Sequence, residues 1–125
     1  MQAKSLSIVT TVDGNQTQFS APCTLEKQLD GVRVVYTVDG AQTTVFATQG
    51  RAEIVRAGDY GMHLCLSAGG CLSGTLEIAG SVGEVTGKTH QVDCVFKGNA
   101  LMILLRYDMQ FGSDVQKMQV RMMVK

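Results

Sequence analysis

The chain has 125 residues, 45% of them apolar and 18% charged, and its eleven basic side chains balance eleven acidic ones. That length supplies the core of one domain over residues 1–125, and the composition excludes a disordered chain. A net charge of zero leaves no overall field to attract nucleic acid or an anionic membrane surface.

The first six residues carry one lysine and no apolar stretch of signal-peptide length, which reads as a cytoplasmic protein. From there, Leu6, Ile8 and Val12 alternate with Ser5, Ser7 and Thr11. A period of two means a strand with one buried and one solvated face. Asp13-Gly14 follows, and Asp30-Gly31 and Asp39-Gly40 repeat it. These pairs suit tight hairpins, because glycine accepts the positive φ of a type I′ turn. The segment from Ser20 to Leu29 reads as a capped short helix with Pro22 in its first turn, or as a strand. The strand is favoured, since the connection to the next strand has hairpin length.

Val32, Val34, Tyr36 and Val38 continue the alternation, opposite Arg33 and Thr37. Further breaks fall at Gln49-Gly50, Gly58-Asp59, Gly69-Gly70, Gly80, Gly98-Asn99 and Gly112-Ser113, with Met62, Leu64 and Leu66 alternating between two of them. The longest apolar run, residues 100–105, has six members, against about 20 for a membrane-spanning helix. Met118, Val120, Met122 and Val124 alternate to the end of the chain. Nine or ten strands in sequential hairpins predict an all-β fold, an up-and-down antiparallel barrel of about 8–10 strands, because closure hides the edges. A two-sheet sandwich is the alternative.

Three segments carry a family resemblance. Ile54-Val55-Arg56-Ala57-Gly58, Gly74-Thr75-Leu76-Glu77-Ile78 and Ile103-Leu104-Leu105-Arg106-Tyr107-Asp108-Met109 are followed by a final alternating strand from Val115 to Lys125. The pattern resembles the YwiB-like proteins, small bacterial proteins placed among the calycin-like barrels, over nearly the full length. Gly69-Gly70-Cys71-Leu72-Ser73 departs from the family's Thr/Tyr-rich approach to the second segment. The resemblance implies a lipocalin-like barrel with an interior cavity and no assigned activity.

The ligand-binding residues expected of such a barrel are Tyr36, Arg56, Leu64, Ile103, Leu105, Tyr107, Met118, Val120 and Met122. Tyr36 and Tyr107 are the polar handles, and an inward Arg56 pairs with a carboxylate. Methionines adapt to many ligand shapes. The competing reading is that these side chains fill the core. Met102 and Leu104 add apolar groups to the outer face of one strand. An N-terminal arm or the partner subunit of a homodimer is expected to cover them.

No cofactor and no metal are expected. The one constellation weighed against this is His63 and Cys65 with His90 and Cys94, which surround Zn²⁺ if their strands are neighbours in register. Reduced thiols packing as small apolar groups are the simpler reading of the cysteines. Nothing points to catalysis. Glu53, Glu77, Glu84, Asp93 and Asp108 are scattered, no G-x-S-x-G elbow or phosphate loop is present, and no cation or helix N-terminus is expected beside Cys71. Arg106, Lys117, Arg121 and Lys125 form a small basic group, but the aromatics are too few for a nucleic-acid stacking platform. The expected function is a non-enzymatic module that takes a small apolar ligand in the barrel. The alternative is a structural or dimerising barrel with a filled core.

Overall fold

A computed structural model describes residues 2–125. Ten strands follow one another: β1 (Gln2–Val12), β2 (Asn15–Gln28), β3 (Gly31–Val38), β4 (Ala41–Thr48), β5 (Arg51–Ala57), β6 (Tyr60–Ser67), β7 (Cys71–Ile78), β8 (Ser81–Lys97), β9 (Ala100–Phe111) and β10 (Asp114–Val124). Each pairs antiparallel with its sequence neighbours, and β10 pairs with β1 to close the barrel. The up-and-down fold expected from the hairpin spacing is the one observed.

The period of two sorts the side chains. Leu6 and Ile8, Val32 and Val34, Leu64 and Leu66, and Met122 and Val124 point inward and are buried. Val34, Leu64, Leu101, Ile103 and Leu105 form the fully enclosed centre. The outer face is largely polar and the interior apolar, the reverse of a membrane-spanning barrel. Among the described residues no helix is long and apolar enough to cross a membrane.

Turn chemistry follows the sequence with one exception. Asp13 and Gly14 have φ of 49° and 86°, and Asp39 and Gly40 have 52° and 78°, as type I′ turns require. At Asp30-Gly31 the turn is instead centred on Leu29 and Asp30, and Gly31 opens β3 opposite Gln28. A Cβ on Gly31 would lie 2.2 Å from the Ala47 carbonyl oxygen. That glycine is needed for the close approach of β3 to β4, not for a left-handed backbone.

Pro22 sits inside β2, as the strand reading has it. Ser5 exchanges both of its backbone hydrogen bonds with Lys125, at 2.9 Å each, so it makes none with its β2 neighbour Pro22. The missing N–H faces the other side, one residue past the end of the β2–β3 ladder at Cys23 and Tyr36.

The two ends of the barrel differ. β8 runs 17 residues and pairs with β7 only through Lys88. Beyond that point two turns supply its missing partners. The Gly50 amide donates to the Val92 carbonyl at 3.0 Å, the Gly69 amide to Thr89 at 3.0 Å, and the Thr89 amide to Gly70 at 2.9 Å. The Gln49 side chain acts as one more strand residue: its carbonyl accepts the Cys94 amide at 3.0 Å and its amide donates to Asp93 at 2.8 Å. These bonds satisfy what would be an open edge and draw this end shut. The opposite end, ringed by the turns at 13–14, 39–40 and 58–59, stays open.

Candidate functional site: the open mouth

A cavity of about 420 Å³ occupies the open end. Its floor is apolar, from Ile8, Ile54, Leu105 and Met122. Its rim carries Phe19, Tyr36, Thr43, Arg56, Asp59, Tyr60 and Tyr107. Strand register explains the placement: Tyr36 is two residues from Val34, Arg56 two from Ile54 and Tyr107 two from Leu105, so all three inherit the inward face.

One wall projects. β2 pairs with β3 only from Cys23 onward, so the β1–β2 hairpin runs past the top of β3. Phe19 lies on its inner side, opposite Ile8, with its ring centroid 6.2 Å from that of Tyr36 at an interplanar angle of 47°. Such a tilted pair is a favourable aromatic geometry.

Arg56 is held at the rim. Its Nη1 donates to the Tyr60 carbonyl at 2.7 Å, its Nη2 meets Asp59 Oδ1 at 2.9 Å, and its guanidinium carbon stands 3.7 Å from the Tyr60 ring centre. The hydrogen bond from Arg56 holds the Asp59 carboxyl below its ordinary range. Asp59 is 79% exposed, so a ligand carboxylate can compete for the guanidinium at little cost. Burial pushes the Tyr107 phenol up to about 12 and raises Tyr36 against the smaller pull of Thr43 and Arg56. Both phenols are therefore neutral hydrogen-bonding groups at ordinary pH.

The mouth gathers Tyr36, Arg56, Leu105, Tyr107, Val120 and Met122 from the expected set. It does not include Leu64, Ile103 or Met118. Leu64 and Ile103 are fully buried in the centre, where side chains fill the barrel, and Met118 packs against that core. The expected cavity thus shrinks to one end. The sequence reading missed Phe19, Thr43, Asp59 and Tyr60. Phe19 was legible as the next inward position after Leu25, Cys23 and Ala21, and Tyr60 as the one before Met62 and Leu64.

The remaining candidates fall elsewhere. β1 is part of the wall, so no N-terminal arm covers Met102 and Leu104. They are half-buried on the outer face among their cross-strand neighbours Val95, Met123, Asp93 and Arg121. The four supposed metal ligands are split. β7 separates β6, with His63 and Cys65, from β8. His90 and Cys94 do not share a face either, because a bulge between Thr89 and Gln91 shifts the alternation. His90 points out and pairs with Asp108 at 2.9 Å, while Cys94 turns inward opposite Ile103.

All four cysteines are free; Cys23 is buried, but Cys65 and Cys71 are exposed on the outer face and are not core side chains. Desolvation, with Glu53 next to it, raises the Cys65 thiol, the wrong direction for an activated nucleophile.

No protein-family model matches the chain, and no curated protein matches it in sequence. In structure it is similar to the ywiB protein from Bacillus subtilis, with a TM-score of 0.83 and 18% identity over 98% of this chain and 90% of that one. The likeness establishes the same barrel over essentially the whole length. The resemblance carried by the Ile54, Gly74 and Ile103 segments therefore holds at the level of the fold.

Proposed function

We propose that this barrel is a non-enzymatic, cytoplasmic binding module that takes a small, mainly apolar ligand in its open mouth. The observation that carries this is the shape and lining of the cavity. Its 420 Å³ lies within the usual range of small-molecule pockets, about 300–1,000 Å³, and pairs an apolar floor with a few converging polar groups. Tyr36 and Tyr107 supply neutral hydroxyls and Arg56 a cation at the rim. The ligand this favours has a compact apolar body and a single hydrogen-bonding or carboxylate end.

The test is a thermal-shift titration with medium-chain and aromatic carboxylic acids and their uncharged analogues. A ligand that prefers the native state raises the midpoint in proportion to its saturation. The acids are expected to raise it more than the analogues, and Arg56→Gln to remove that difference. No shift from either series at millimolar concentration would overturn the reading. The second reading, a dimerising barrel with a filled core, is favoured by the solid centre at Leu64, Leu101 and Ile103 and by the outer row Val95, Met102 and Met123. Light scattering tests it: a dimer mass that Met102→Lys reduces to a monomer supports it, and a monomer for the unaltered chain overturns it.

A further inference from the structure

The outer face of β5 and β6 brings three different donor atoms together. Glu53 and Cys65 are directly opposite in the antiparallel register, and His63 lies two residues along β6 on the same face. His63 Nε2 is 3.6 Å from Glu53 Oε2 and 3.8 Å from Cys65 Sγ, and Cys65 Sγ is 3.9 Å from Glu53 Oε2. The three atoms thus make a nearly equilateral triangle with no cation among them.

We propose that Glu53, His63 and Cys65 form a Zn²⁺ site with three protein ligands and one open position. Tetrahedral zinc with ordinary Zn–N, Zn–O and Zn–S bonds holds its ligand atoms about 3.4–3.6 Å apart. The observed triangle is wider by roughly 0.2–0.4 Å per side, which side-chain rotation closes without moving the strands. The donor chemistry selects the metal. A thiolate excludes Mg²⁺ and Ca²⁺, and the imidazole, thiolate and carboxylate set suits zinc.

Charge also balances. One carboxylate and one thiolate neutralise a divalent cation, so Arg51, which lies close enough to influence Cys65, does not oppose the bound state.

The open position faces a groove. A cavity of about 590 Å³ lies along the outer wall, lined by Glu53 and Cys65 together with Phe46, Arg51, Cys71 and Ser73. His63 is outside this lining and 51% exposed, so the triangle stands at the groove's rim. Three ligands plus a water is the pattern of an exchangeable zinc site, whereas closed structural sites use four. This site is separate from the mouth: its residues point outward, and those of the mouth point in.

The test uses the full-length, tag-free protein, stripped with a chelator and titrated with Co²⁺ and then Zn²⁺. One Co²⁺ per chain is expected, with tetrahedral d–d bands in the visible and a thiolate-to-cobalt charge-transfer band, both displaced by Zn²⁺. Cys65→Ser should abolish the charge-transfer band, and His63→Ala and Glu53→Gln should each weaken binding at least tenfold. Cys71→Ser should bind as the unaltered chain does. All four positions are on the outer surface, and circular dichroism checks that each variant keeps the barrel. The proposal is overturned if no stoichiometric Co²⁺ is taken up, or if the charge-transfer band survives in Cys65→Ser.

Discussion

His63 and Gly74 approach so closely across β6 and β7 that a Cβ on Gly74 would lie 1.9 Å from the His63 carbonyl oxygen. Backbone, not a flexible side chain, occupies the space. Gly87 repeats the arrangement on β8, where a Cβ would lie 1.8 Å from the Asp108 carbonyl oxygen. Side-chain-free positions let a small barrel curve tightly. Gly74→Ala therefore forces the two strands apart and should destabilise the protein by about 1–3 kcal/mol. Gly61→Ala is the control: its nearest neighbour would be Glu77 Cβ at 3.6 Å, an ordinary contact, and its backbone is not left-handed. Denaturant unfolding of the two variants should separate clearly, and equal stability would show that the approach at Gly74 can relax.

Tyr107 makes alkaline stability a readout of the mouth. Its phenol is buried and its pKa is pushed up to about 12 from an ordinary 10.0. Below pH 10 both folded and unfolded chains hold the proton, and stability does not depend on this group. As pH rises from 10 to 12 the unfolded chain loses the proton and the folded chain keeps it, so stability falls. The full loss is at most about 3 kcal/mol. Tyr107→Phe should flatten that part of the pH profile, with Tyr36, also raised, supplying the residual slope. An unchanged profile in Tyr107→Phe would mean that the phenol ionises freely in the folded state.

Gln49 ties the closed end to β8. Removing it with Gln49→Ala strands the Cys94 amide and should cost about 0.5–1.5 kcal/mol for that bond. There is also a pH signature. Hydrogen bonds from Gln91 and Gln49 hold the Asp93 carboxyl below its model value of 3.8. A depressed carboxylate adds stability above its unfolded pKa, and that increment is lost as pH falls through the folded value. Gln49→Ala should thus shrink the acid-side loss as well as lower the neutral plateau. A variant that shifts the plateau but leaves the acid limb intact would remove Asp93 from the account.

The hairpin ladder was legible because each strand solves a local problem. Asp13-Gly14 and Asp39-Gly40 fix their own turns, and Val34 and Leu64 face inward whatever lies across the barrel. The misreadings come from relations between strands. Gly31 looks like a turn glycine until β4 is placed against it. His90 and Cys94 look like one face until the bulge at Thr89 and Gln91 shifts the alternation. Glu53 joins His63 and Cys65 only through the β5–β6 register, which no spacing along the chain encodes. The mouth was half legible for the same reason: Tyr36 and Tyr107 follow from alternation, but the filled centre follows from how ten strands share one interior.

Ala79 carries a φ of 53°, left-handed, beside Gly80 at 82° in the β7–β8 turn. This is the I′ arrangement of the Asp-Gly hairpins with a less suited first residue. Alanine there has a side-chain penalty of about 1–2 kcal/mol that asparagine largely avoids. Ala79→Asn should raise stability by roughly 0.5–1 kcal/mol. The turn is exposed, so packing does not confuse the result. A melting midpoint at or below that of the unaltered chain would count against the left-handed conformation.

Phe19 separates binding from folding. It is 37% exposed on a hairpin that overhangs the mouth, while Leu105, on the cavity floor, has no exposure at all. Leu105→Ala leaves a void in a packed interior and should cost about 2–5 kcal/mol of stability. Phe19→Ala removes the tilted ring over Tyr36, a contact of about 0.5–1.5 kcal/mol, and opens one wall. Its melting midpoint should fall only slightly. Its affinity for a fluorescent apolar probe bound in the mouth should drop by about twofold to tenfold, the same energy read as binding. If the probe binds Phe19→Ala as tightly as the unaltered chain, the overhanging hairpin is not a wall of the binding site and the ligand lies elsewhere.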